Sequence, residues 1–201
     1  MTEGTENYLI NTETYLQTGI HIGTTFKTKA MKPYIHKIRP EGLAVLNLDK
    51  IDERIKLGAK LLAQFEPKEI YVVCRRESGW KGLNLLSKVT GMNIITGRYP
   101  PGLLTNTNLK NYTESKIIFT SDTWLDKNII NDAYKNGILI MGLIDSNNTH
   151  NKLDFAIPCN NKGRKSLNLV YFLIARQYMI EKKLIEKEED FKYKIEDFVD
   201  L

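Results

Sequence analysis

The chain is predicted to fold as a doubly wound, three-layer α/β domain around a parallel sheet of about five strands, with a basic N-terminal segment and a C-terminal helical extension. Three observations on its 201 residues carry that expectation. Short, nearly all-apolar runs recur along the chain, the kind that parallel strands show when both faces are buried. Segments with helical spacing fall between them. No second compositional block and no internal repeat marks another domain, and a chain that is 42% hydrophobic and 26% charged can bury one ordinary core.

The first expected strand is GLAVLNLD, residues 42–49. A helix follows it, with Asp49 as N-cap, Asp52 and Glu53 in the first turn, and Ile51, Ile55, Ala59, Leu62 and Phe65 on one face at steps of four and three. Pro67 marks its end. EIYVVCRR (69–76), NIITGRY (93–99), KIIFTSD (116–122) and ILIMGLID (138–145) read as the further strands. Between the last two, Asp126 to Lys135 reads as a helix with Ile129, Ile130 and Ala133 inward and Gly137 just past its C-terminus. A last helix is expected from about Ser166 toward Ile185. Pro100-Pro101-Gly102 and Ser146-Asn147-Asn148 read as loops. The domain is thus placed at residues 1–185, and the acidic stretch 186–201 is expected to be a solvated, mobile tail.

Charge is distributed unevenly over this frame. Residues 181–201 carry eight acids against five bases, which leaves 16 acids and 24 bases of the 24 and 29 in the whole chain for residues 1–180. A basic body with an acidic tail suggests a polyanionic partner. Within DFAIPCNNKGRKS, residues 154–166, Lys162, Arg164 and Lys165 crowd the expected start of the last helix. Cations there face the positive end of the helix dipole, so an anion is expected beside them, and a phosphate suits both groups. The alternative is a solvated loop whose charges salt screens. From Gly19 to Pro40 there is no acid, while Lys27, Lys29, Lys32, Lys37 and Arg39 alternate with Phe26, Tyr34 and His36. Cations interleaved with rings suit irregular RNA, although Phe26 and Tyr34 are better read as anchors to the core. Arg75, Arg76 and Arg98, after two of the strands, add charge at the carboxyl edge of the sheet and are expected to contact RNA phosphates with the other cations.

Motifs for other chemistry fail or stay weak. Gly163-Arg164-Lys165-Ser166 imitates the end of a Walker A loop, but the lysine is one position out and Pro158 replaces the first glycine. Gly79 and Gly82 lack the preceding glycine of a dinucleotide fingerprint and fit a turn or helix start. His21, His36 and His150 have no metal-ligand spacing. Cys74 and Cys159 form no CxxC; buried thiols in a reducing compartment fit best, and a single disulfide stays open. No basic n-region opens the chain and no run spans a bilayer, so a cytoplasmic location is expected. Asp122 and Asp145 close two strands at the carboxyl edge, where an acid/base pair would sit, yet turn or helix capping is the preferred reading for both.

Five segments together resemble the ribosomal protein S-two family of the small subunit: YLQTGIHIGT (15–24), KPYIHKIRPEGLAVLNLDKIDERI (32–55), YVVCRRESG (71–79), GRYPPGLLTNTNL (97–109) and IPCNNKGRKSLNLVYFLIAR (157–176). They span nearly the whole chain in the family's order. The short passage from the helix ending near Phe65 to the strand at Ile70 leaves no room for the coiled-coil insertion of bacterial members, so the resemblance is to the archaeal and eukaryotic type, and the short tail tilts it toward archaeal. Thr123, Asp132 and Leu139 depart from the family pattern of a proline, a glutamate and a proline. The resemblance implies a structural constituent of the small subunit without catalysis, cofactor or metal, with small-subunit rRNA and neighbouring ribosomal proteins as partners and no membrane or small-molecule substrate. It carries Lys27, Lys29, Lys32, His36, Lys37, Arg39, Lys162, Arg164 and Lys165 over as rRNA contacts. The other function class compatible with the fold is a phosphosugar- or nucleotide-binding enzyme, which needs one enclosed polar pocket where this sequence spreads its cations over distant segments.

Overall fold

Apolar runs buried on both faces make up the middle of the sheet. In the computed structural model, which describes residues 8–187 and 190–199, Ile70–Cys74 (β3), Ile117–Thr120 (β5) and Leu139–Ile144 (β6) are almost entirely buried. They form the middle of a five-stranded parallel sheet whose edges are Asn93–Thr96 (β4) and Phe155–Pro158 (β7), in the order β4-β3-β5-β6-β7. The order reverses between β3 and β5, the position at which a crevice opens in doubly wound sheets.

The run GLAVLNLD lies outside this sheet. Ala44–Leu46 (β2) instead pairs antiparallel with Ile35–Ile38 (β1) in a separate two-stranded ribbon. A buried apolar strand in either setting reads alike, because burial on both faces says nothing about which neighbour supplies the hydrogen bonds. The fifth parallel strand is Phe155–Pro158, a run to which the sequence reading assigned no strand. Its proline is tolerated because the strand lies at an edge.

Thr12–Thr18 (α1) opens the described helices and ends at Gly19, whose φ of 66° is the left-handed conformation that glycine adopts without strain. Leu48–Ala63 (α2) is capped by Asn47, whose side chain accepts from the Asp49 amide at 2.9 Å. The expected cap, Asp49, is therefore already in the first turn, where its charge suits the dipole. Trp80–Thr90 (α3) begins at the glycine pair: a Cβ on Gly82 would lie 2.7 Å from Asn168 Oδ1 and 3.1 Å from the Asn168 Cα. Gly82 thus serves close helix packing, and its amide donates to that same Oδ1 at 3.2 Å. Lys127–Lys135 (α4) buries Ile129, Ile130 and Ala133 as expected, and Gly137 lies beyond its end with φ 69°.

Arg164–Glu181 (α5) begins before and ends before its expected limits, and it is buried all round from Ser166 to Tyr178. It is the central helix of one layer, with α2 and α3 against it and the main core between them and the sheet. The opposite layer holds α4 and the irregular segment bearing Tyr99, Leu103 and Leu104, which pack on Val73, Ile118 and Ile140.

Residues 190–199 of the acidic tail do not behave as a solvated extension. Ile195–Phe198 (α6) brings Phe198 and Val199 into the core, both fully buried, and Phe198 and Phe191 meet Phe172 edge-on at 5.5 and 5.6 Å. The rest of that expectation, at residues 188–189 and 200–201, lies outside the described residues. Of the departures from the family pattern, Leu139 uses what proline lacks: its amide donates to the Lys116 carbonyl at 3.1 Å. Asp132 accepts from the Tyr99 hydroxyl at 3.1 Å.

Candidate nucleic-acid interface

All five parallel strands point their carboxyl ends at one edge, and the loops leaving that edge are tied together by buried polar groups. After β5, Asp122 Oδ1 accepts from the Trp124 amide at 2.8 Å and from Asn148 Nδ2 at 3.2 Å. After β6, Asn148 Oδ1 accepts from the Asp145 amide at 2.9 Å and from Asn161 Nδ2 at 3.1 Å. Asn161 belongs to the turn after β7, so three loops share one network through the buried side chains of Asp122, Asn148 and Asn161. These shared hydrogen bonds hold the loops in one arrangement, while Asn161 Oδ1 is buried without a partner.

The aspartates do more than cap. Asp122 Oδ2 receives two hydrogen bonds from Arg76, from Nε at 3.1 Å and from a terminal nitrogen at 2.5 Å. Asp145 is 1% exposed, and its Oδ2 has the Lys162 ammonium at 3.2 Å. Lys162 also donates to Asn147 Oδ1 at 3.0 Å. For Lys162 the anion expected beside the cations of residues 162–165 is thus supplied by the protein. Lys162 precedes the N-cap Gly163, whereas Arg164 and Lys165 are the first two residues of α5 and both are exposed. The expectation that this cluster burdens the free domain as a whole is corrected for Lys162, which compensates a buried carboxylate.

The basic N-terminal segment is laid along the same edge. Asn160 donates its amide to the Ile20 carbonyl at 2.8 Å, the Thr24 amide donates to the Ser146 hydroxyl oxygen at 2.8 Å, and Thr28 donates to the Ser146 and Asn148 carbonyls at 3.0 and 2.7 Å. A Cβ on Gly23 would meet Ser146 Oγ at 3.0 Å and Asp145 Oδ1 at 3.1 Å, which explains a glycine there. From this anchorage Lys27, Lys29 and Lys32 emerge exposed, the latter two on a 3₁₀ turn at Lys29–Tyr34, followed by exposed His36 and Lys37 on β1 and exposed Arg39 beyond it. Beside the ribbon is a groove of about 540 Å³ walled in part by His21, His36, Lys37, Arg39 and Asn47. Burial first, then the Arg39 charge, pulls the His21 imidazole below its usual range. Tyr34 packs against the core as expected. Phe26 does not: it is 78% exposed.

Arg75 and Arg98 are brought together on the other side of the edge, where they line a polar cleft of about 180 Å³ with Tyr99, Asp126 and Asn128. Asp126 is held up to about 7, by burial above all and by the neighbouring Asp122 charge, against the Thr120 hydroxyl that donates to it at 2.9 Å. A carboxyl raised in the folded state binds its proton more tightly there than in the unfolded chain. Its contribution is therefore most favourable below the usual carboxylate range and is lost as pH rises through about 7. Asp126→Asn is expected to match the native protein near pH 4 and to exceed it by roughly 2 to 4 kcal/mol at pH 8, read as paired thermal melts.

Burial pushes both cysteine thiols up, and both are free. Among the described residues no cluster of three or more His, Cys, Asp or Glu side chains is placed to hold a metal, and no helix is long and apolar enough to cross a membrane. Sequence reasoning missed Trp124, which is 62% exposed on the turn after β5. The signal available was an apolar ring between the turn-forming Asp122-Thr123 and the helix start at Asp126.

Comparison with known proteins follows the same segments. The family described as Ribosomal protein S2 matches residues 108–180. The small ribosomal subunit protein uS2 of Nanoarchaeum equitans (strain Kin4-M) is 47% identical over 190 residues, 94% of this chain and 94% of its own length. The proteins of the same name from Methanococcus maripaludis (strain C5) and Thermoplasma acidophilum are 45% and 43% identical, over 94% and 96% of this chain and 86% and 97% of their own.

Proposed function

The chain belongs to the ribosomal protein S2 family, and from that premise we propose that it is a structural constituent of the small ribosomal subunit that binds rRNA through the carboxyl edge of its sheet and the basic segment laid along it. The observation that carries the reading is the anchorage of residues 20–28 on the Asp145–Asn148 and Asn160 turns. It converts cations distant in sequence into one extended face. Lys27, Lys29, Lys32, Lys37 and Arg39 on the segment, with Arg164 and Lys165 at the start of α5, are assigned to phosphates. Arg75 and Arg98 form a second group. Arg76 and Lys162 act differently, because each neutralises a buried aspartate and so positions the loops that present the others. His36 sits among the lysines of the ribbon and shares their phosphate-facing role.

Neighbouring ribosomal proteins and a part in subunit assembly belong to the same reading. A face this wide suits a macromolecular polyanion better than a phosphosugar, since its cations, among the described residues, are spread over separate open clefts. The test is binding of the purified protein to small-subunit rRNA across a salt series. Affinity should fall steeply and linearly on a log-log plot; a flat dependence would remove phosphate contact from the account.

A further inference from the structure

We infer that Trp124 is a stacking site for an unpaired RNA base, with Phe26 as a second ring across the same turn. The inference rests on the rRNA-binding reading and names a contact that the cations alone do not provide. Large rings are normally withdrawn from water, yet Phe26 and Trp124 are 78% and 62% exposed, and both hang from one rigid structure. The Phe26 carbonyl accepts from Ser146 Oγ at 3.0 Å, while the Trp124 amide and Asn148 Nδ2 share Asp122 Oδ1. Both rings therefore hang from backbone tied to the turn at Ser146 to Asn148. A ring presented from fixed backbone loses little conformational freedom on binding.

The surroundings select the occupant. Lys127 Nζ lies 5.8 Å from the centre of the Trp124 ring, and the cleft beside it, about 200 Å³, is lined by Thr123, Lys127, Asn147, Asn148 and Thr149. Hydroxyl and amide groups at a ring's margin meet the edge of a stacked base, and an ammonium above the ring meets its phosphate. Lys27, next to Phe26 in the chain and exposed, extends the positive field. An apolar protein partner would find these cations uncompensated, whereas an RNA strand complements rings and charges together.

The chain has two tryptophans, and Trp80 is set apart by a hydrogen bond from its indole to the Cys74 carbonyl at 3.1 Å. In Trp80→Phe protein, a single-stranded oligoribonucleotide is expected to quench Trp124 emission, and inorganic polyphosphate to bind without quenching. Trp124→Ala should bind the oligoribonucleotide roughly tenfold more weakly with polyphosphate affinity unchanged, and Trp124→Phe should keep most of the affinity. Equal quenching by polyphosphate, or unchanged oligoribonucleotide binding by Trp124→Ala, would overturn the inference. So would release of Trp124→Ala from small subunits with its oligoribonucleotide affinity intact, which would give the ring to a protein neighbour. In each of these cases native protein still joins subunits and the parent reading stands; native protein that fails to join subunits overturns both.

Discussion

Asp122→Ala is expected to destabilise the free protein by about 2 to 4 kcal/mol. One side chain there compensates the Arg76 guanidinium, caps the Trp124 amide and anchors Asn148. Removing it leaves a half-buried cation unpaired and frees two donors at once. Asp122→Asn should cost less, because its carbonyl oxygen can still serve Trp124, yet more than a pure capping role allows, because its amide nitrogen presents donors to Arg76. Thermal melts of the two variants beside the native protein decide it, at roughly 2 to 4 °C per kcal/mol for a chain of this size. Two variants within 1 °C of the native protein would show that the ion pair contributes nothing and that Asp122 only shapes its turn.

Replacing Lys29, Lys32 and Lys37 together by serine is expected to leave the melt nearly unchanged and to lower the salt dependence of rRNA binding by about 2 to 3 units of log-log slope. All three are exposed on the segment that runs along the carboxyl edge. A native slope in the variant would remove them from the RNA face. Lys162→Ser sets the contrast, since it strips Asp145 of its ammonium: it should weaken the fold before it weakens binding.

How far the sequence could be read follows from what each segment had to specify. The helix at Asp126 to Lys135 and the strands around Val72, Phe119 and Met141 were legible because burial alone sets their pattern. The Ala44–Leu46 run was legible as a strand but not as half of a ribbon, since partner choice is not written in hydrophobicity. Phe155–Pro158 is short, sits at an edge and ends in proline, so it resembles the loop it follows. In the tail, Phe191 and Phe198 were diluted by Lys and Glu, and their docking depends on the Phe172 ring far away in sequence.

The candidate face was legible in kind and less so in detail. The acid-free run between Gly19 and Pro40 holds its cations exposed, and the anion expected beside residues 162–165 was a phosphate, whereas the chain itself supplies one to Lys162. The anion is Asp145, a residue read only as a cap, because a long-range ion pair leaves no local signal. Arg76 was grouped with free cations for the same reason. Phe26 was assigned to the core on residue type, whereas the Thr24 and Thr28 hydrogen bonds to the Ser146 turn already fix the segment and release the ring to solvent.

If this fold is a component of the small subunit held there by its basic edge, sedimentation of tagged protein through a gradient of ribosomal particles will reveal it. Native protein should travel with the small subunit and with assembled ribosomes at physiological salt, and the Lys29, Lys32 and Lys37 variant should shift toward the top of the gradient while remaining folded. Native protein found only at the top, under conditions where other small-subunit proteins stay with their particles, would contradict the account.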